Sequence, residues 1–277
     1  MDRFENSELP IIIQGGMGIG VSSVQMARAV ANMGQLGVVS GTAIDSAFAR
    51  RLQNGDPDGQ LRSALKKFPD QKCVEEILQR YFIEGGKEEH VSYIDLPKLT
   101  INPTPFASKM LVVASFVEVT EAKTDTDGPI GINFLEKIQL ATPASIYGAI
   151  LAGVDYILMG AGIPSDIPQL ITDLMSGDRI QFKIKIEGAD KSHFLSFDPG
   201  IIQNVDKSQL RRPKFLAIVS SHILANYLAR DETTKPDGFI IEGPTAGGHN
   251  APPRSKDSIG ADGQVTFSEK DSADLEK

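Results

Sequence analysis

The residues best suited to chemistry gather in two glycine-rich segments near opposite ends of the chain. The first runs Gln14, Gly15, Gly16, Met17, Gly18, Ile19, Gly20. Glycines let a loop meet a phosphate or a flat ligand through its backbone. Gly16, Gly18 and Gly20 do not have the spacing of a dinucleotide fingerprint, and no P-loop lysine follows. A tight strand-to-helix turn accounts for the same glycines equally well. In the second segment His249 directly follows Gly247 and Gly248. An imidazole titrates near neutral pH and can serve as base or hydrogen-bond donor, and the glycines would expose it to a ligand. Between the two lies Asn133, at the end of a predicted strand, where its amide could bind a ligand carbonyl or satisfy backbone groups.

Other reactive residues give weaker signals. His90 lies among Glu88 and Glu89, His193 in a polar excursion, and His222 at a helix start. None has a partner at metal-ligand spacing, so no metal is expected. A single Cys, Cys73, excludes an internal disulfide framework and reads as an inert thiol. The Gly-x-Ser-x-Gly of a nucleophile elbow is absent.

These residues need elements to position them. Ile11, Ile12 and Ile13 form a β-branched run that predicts a buried strand ahead of the first glycine loop. Ser22 and Ser23 are plausible N-caps for a helix carrying Val24, Ala27, Val30 and Ala31, which Gly34 stops. Further buried-type runs begin near residues 36, 130, 155, 215 and 238, giving six parallel-type strands with helices between them. Residues 43–106 read as a helical insertion, with Leu61, Leu65, Val74, Ile77 and Tyr81 at helical spacing amid charge. A helix is expected over residues 111–123. Residues 180–186 alternate apolar and polar, which means one wet face and places them outside the main sheet, in an excursion to about residue 213. A doubly wound sheet and a β/α barrel share this alternation. Polar or glycine-rich segments follow strands one, three, four and six, and many strand ends feeding one site favour the barrel.

Composition sets the outer bounds. The chain has 277 residues, 41% hydrophobic and 23% charged, which excludes collagen, coiled coil and wholesale disorder. Its formal net charge of −8 lacks the footprint of a nucleic-acid binder. The N-terminus is charged and polar, unlike a signal peptide, and no apolar run reaches the roughly 18 residues of a membrane span. A cytoplasmic location is expected, and a homo-oligomer stays open.

PIIIQGGMGIGVS near the start and EGPTAGGHNAPPR near the end resemble the nitronate monooxygenases, formerly called 2-nitropropane dioxygenases. GPIGIN and LMGAGIP, between them, are also similar. The resemblance implies a TIM-type (β/α)8 barrel holding FMN. Gly15, Gly16 and Met17 would lie against the flavin, Asn133 would reach its ring, Gly247 and Gly248 would approach it, and His249 would be the catalytic histidine. The reaction implied takes an alkyl nitronate and O2 to a carbonyl compound and nitrite, with His249 orienting or deprotonating the substrate. Flavin-dependent enoyl-thioester reductases of fatty-acid and polyketide synthesis are similar in the same places and are the alternative. In either case the cofactor carries the hard chemistry.

The chain departs from the family pattern in two places. The family often has a form like EAGGH, whereas Thr245 precedes Ala246 here. The strand count also falls two short of eight, and the phosphate of such cofactors usually sits on the loops after strands seven and eight. The expectation is therefore an N-terminal portion of a longer enzyme with unpaired edges at its first and sixth strands. A catalytically inactive barrel fragment with a structural or partner-binding role is the remaining alternative.

Overall fold

The computed structural model describes residues 10–244, 246–247, 253, 258–268 and 271–272. Its centre is a five-stranded parallel sheet of β1 (Gly37–Ser40), β2 (Ile130–Leu135), β3 (Tyr156–Gly160), β6 (Lys214–Val219) and β7 (Gly238–Ile241). The other two strands, β4 (Ile180–Ile184) and β5 (His193–Phe197), form a separate antiparallel hairpin.

The large sheet is wound in sequence order, β1-β2-β3-β6-β7, with every pair parallel. A doubly wound sheet would reverse direction once and carry helices on both faces. Here the two faces differ. Val39, Ile132, Ile157, Phe215 and Ala217 belong to the main core, which they share with the helices. Leu36, Val38, Tyr156 and Leu158 form a second cluster with Leu216, Ile218 and Ile240, built from sheet residues alone. Helices thus cover one face, and side chains of the other face pack on one another.

Eight α-helices are present among the described residues: α1 (Val24–Ala31), α2 (Ile44–Gln53), α3 (Gln60–Leu65), α4 (Gln71–Tyr81), α5 (Pro105–Ala122), α6 (Thr142–Leu151), α7 (Ile167–Ser176) and α8 (His222–Ala229). Ser23 caps α1 by accepting from the Met26 N–H, and Ser221 caps α8 by accepting from the Leu224 N–H. Gly177 ends α7 in the left-handed conformation. Helix α5 starts six residues earlier than its sequence suggests. Thr104 accepts from the Ala107 N–H and Pro105 takes the first turn, where its missing N–H costs nothing. Its valines are tolerated because nearly the whole helix is buried, which outweighs their weak helix propensity.

The first predicted strand is corrected. Ile11, Ile12 and Ile13 are 89%, 60% and 41% exposed, not buried. Only a bridge between Ile13 and Leu36 forms, with the Gln14 N–H donating to the Leu36 carbonyl at 3.0 Å. The segment lies at the sheet edge, so among the described residues one side of its backbone has a partner. The alternating segment behaves as its pattern requires: β4 alternates buried and exposed residues and pairs with β5 off the main sheet. No helix among the described residues is long and apolar enough to cross a membrane.

Candidate functional site

The strand ends meet at the carboxyl edge of the sheet. Ser40, Leu135, Gly160, Val219 and Ile241 end their strands there, and the glycine loop of residues 14–20 lies against β1 and β2. Gln14 locks the loop to β1: its side-chain amide donates to the Val38 carbonyl at 3.1 Å and accepts from the Val38 N–H at 3.3 Å. Ser22 Oγ donates to the Gly15 carbonyl at 2.9 Å, and Ser40 Oγ to the Met17 carbonyl at 3.5 Å. The sequence offered no signal for these holders beyond their polarity.

Gly16 is required by packing. A Cβ there would stand 2.3 Å from Val38 Cγ1 and 2.9 Å from Asn133 Cβ. Only glycine lets the backbone lie so flat on the sheet. Gly15 has nothing within 4 Å of where its Cβ would be, so one side of the loop is open.

Asn133 is 1% exposed. Its Nδ2 donates to Met17 Sδ at 2.7 Å, while its Oδ1 has no hydrogen-bond partner. Leaving such an acceptor unpaired costs about 1–3 kcal/mol. A buried polar atom in that condition, beneath a loop open on one side, suits a ligand that brings an N–H. The structure therefore brings together four of the predicted residues: Gly15, Gly16, Met17 and Asn133. Gly247 is exposed, with nothing within 4 Å of its would-be Cβ. Gly248 and His249 lie outside the described residues.

The backbone is strained at the same edge. Ala43, two residues past Gly41, has φ +48°, and Ala161, directly after β3, has φ +56°. Alanine rarely adopts this conformation, and such strain gathers at functional loops. His222 begins α8 just beyond β6, half-buried, with Nδ1 unpartnered. An apolar cavity of about 230 Å³ opens beside Thr42, Ala43, Leu111, Phe134 and Ile138 at the ends of β1 and β2. Cys73 is buried away from this edge, and burial pushes its thiol up to about 12, so it stays protonated at neutral pH.

A larger cavity, about 460 Å³, lies behind the glycine loop among α1, α2, α3 and α5. Sequence reasoning missed it, because the residues that define it are far apart in the chain. Arg51 on α2 binds Glu121 on α5 through two N–H groups at 2.8 and 2.9 Å and reaches Glu118 at 3.4 Å. The signal was present as two carboxylates in the second half of a mostly apolar helix. Burial raises the Glu118 carboxyl to about 7, Arg51 opposing and Glu121 reinforcing the shift. A carboxyl raised in the folded state stabilises the fold below its unfolded value near 4.5, and that contribution is lost as pH rises through about 7. Glu118→Gln is therefore expected to raise the melting temperature at pH 8 and to change it little at pH 5. Thermal melts at the two pH values check this, and equal shifts at both would contradict the assignment.

The chain matches no protein-family model and no curated protein sequence.

Proposed function

We propose that the chain is an FMN-dependent oxidoreductase of the nitronate monooxygenase kind, built on a β/α barrel plan and working in the cytoplasm on a small substrate and O2. The observation that carries this reading is the unpartnered Asn133 oxygen beneath the glycine loop at the carboxyl edge. Ligands of parallel β/α folds bind at that edge. Winding in sequence order, with helices on one face, supports the barrel plan over a doubly wound sheet.

The backbone of Gly15, Gly16 and Met17 and the Asn133 amide would hold the flavin, with Gly247 and Gly248 approaching it. When bound, FMN supplies the one-electron oxidation of the substrate. His249 would orient the nitronate or take its proton, and the apolar cavity by Leu111 and Phe134 offers room for an alkyl chain.

Two measurements test the reading. Flavin titration should give a saturable complex, and that complex should release nitrite from propane-2-nitronate without NAD(P)H. Consumption of NAD(P)H with an enoyl thioester, and no nitrite, would favour the reductase instead. Failure to bind flavin would sink both. Asn133→Leu adds a sharper check. It removes an acceptor whose burial costs about 1–3 kcal/mol and gives up only the Nδ2 bond to the Met17 sulfur, so the flavin-free chain should lose little stability. FMN affinity should fall about tenfold or more, one lost hydrogen bond being worth about 1.4 kcal/mol at that ratio. Unchanged FMN affinity would remove Asn133 from the site.

A further inference from the structure

We propose that the cavity among α1, α2, α3 and α5 is a second binding site, for a small organic cation consisting of a primary ammonium group on a short apolar body. The cavity shares Ile19 and Gly20 with the glycine loop and Ser22 and Ser40 with the groups that hold it, but the inference does not require the flavin reading. At about 460 Å³ the cavity is in the range of small-molecule sites, roughly 300–1,000 Å³. Ile19, Val24, Ile44 and Leu61 give it apolar wall, and Arg51, Asp58 and Glu118 give it charge.

The charge balance selects the ligand. Lining charges and their direct salt-bridge partners comprise Arg51 and Arg62 against Asp56, Asp58, Glu118 and Glu121. Two cations against four carboxylates leave a net charge of −2. Arg51 is already engaged by both glutamates and has little left for an anion. Asp56 is occupied by Arg62 and by the backbone N–H groups of Leu61 and Arg62. That leaves Glu118, joined to Arg51 only at 3.4 Å, and the exposed Asp58 as the groups short of a counter-charge. Arg28 reaches the Glu121 carbonyl from α1 but does not line the cavity. The amino end of α1 does line it, but a helix end carries only about half a positive charge, and Ser23 already caps it. A ligand ammonium would supply what Glu118 lacks, and Glu118 is also the group whose carboxyl burial raises to about 7.

The test is calorimetric titration of the full chain with benzylammonium and n-butylammonium, using benzyl alcohol and benzoate as neutral and anionic controls. At pH 8 the ammonium ions should bind saturably and the controls should not. Binding should weaken at pH 6, where Glu118 takes up a proton. Glu118→Gln should weaken it about tenfold, the equivalent of roughly 1.4 kcal/mol for a part-buried charge pair. Asp58→Asn, at an exposed position, gives a second reading if the first variant unfolds. Absence of saturation by both ammonium ions, equal binding of benzyl alcohol, or wild-type affinity in both variants would overturn the proposal.

Discussion

Turnover of a nitronate is expected to fall about 10²- to 10⁴-fold in a His249→Asn variant that still holds its flavin. Asparagine keeps a hydrogen-bonding group of similar reach but cannot exchange a proton near neutral pH. His249 follows the end of β7, Ile241, by eight positions in the sequence and lies outside the described residues. The pH profile separates catalysis from mere positioning. Loss of a proton-transfer group should flatten the limb near neutral pH, whereas loss of a hydrogen bond alone should lower the whole profile without changing its shape. Stopped-flow turnover with flavin absorbance recorded in parallel provides the measurement. Unchanged turnover at full flavin occupancy would take His249 out of the reaction.

The largest expected effect on stability is at Gly148. This residue sits in the middle of α6, where α6 crosses α5, and a Cβ on it would lie 2.0 Å from the Val112 carbonyl oxygen. That obstacle is backbone inside a buried helix, so no rotamer change relieves it. Gly148→Val would force the two helices apart within the main core, to which Ile146 and Ala149 of α6 and Val113 and Phe116 of α5 also belong. Overpacking of this kind costs about 3 kcal/mol or more, which lowers the melting temperature by about 6–12 °C in a domain of this size. Gly243→Ala is the control, since nothing lies within 4 Å of its would-be Cβ. Chemical denaturation of the two variants should separate them clearly. Similar midpoints would mean that α5 and α6 are not in such close contact.

The sequence announced some of this and hid the rest, for physical reasons. Apolar runs near residues 36, 130, 155, 215 and 238 became strands: β1, β2 and β3 are buried throughout, while β6 alternates buried with half-buried residues and β7 is half-buried to exposed. The alternation over Ile180–Ile184 marked a half-wet strand, but its partner His193–Phe197 carries no such pattern and could be found only by pairing. Ile11–Ile13 misled because a β-branched run signals strand propensity, while burial depends on what covers it. Asn133 was legible as a polar residue at a strand end. Its Nδ2 bond to Met17, 116 positions away, and its unpaired oxygen were not, since both depend on which distant residues the fold brings near it. The cavity behind Arg51 was invisible for the same reason, its ion pairs joining residues 67 and 70 apart.

Helix α5 has buried residues all around its circumference, Met110, Val113, Phe116 and Val119 among them. Its shielding comes from the sheet, from α1 and α6, and from α2, α3 and α4, which the sequence suggested were an insertion. Those three helices therefore act as a sheath. A chain deprived of them would present to water the apolar face of α5 that they cover, with α1, α6 and the sheet still covering the rest. In the intact protein the amide protons of α5 reach solvent only when one of these covering elements lifts or the whole molecule opens. The region that looks most like an appendage in the sequence thus forms part of the wall that keeps water from the centre of the fold.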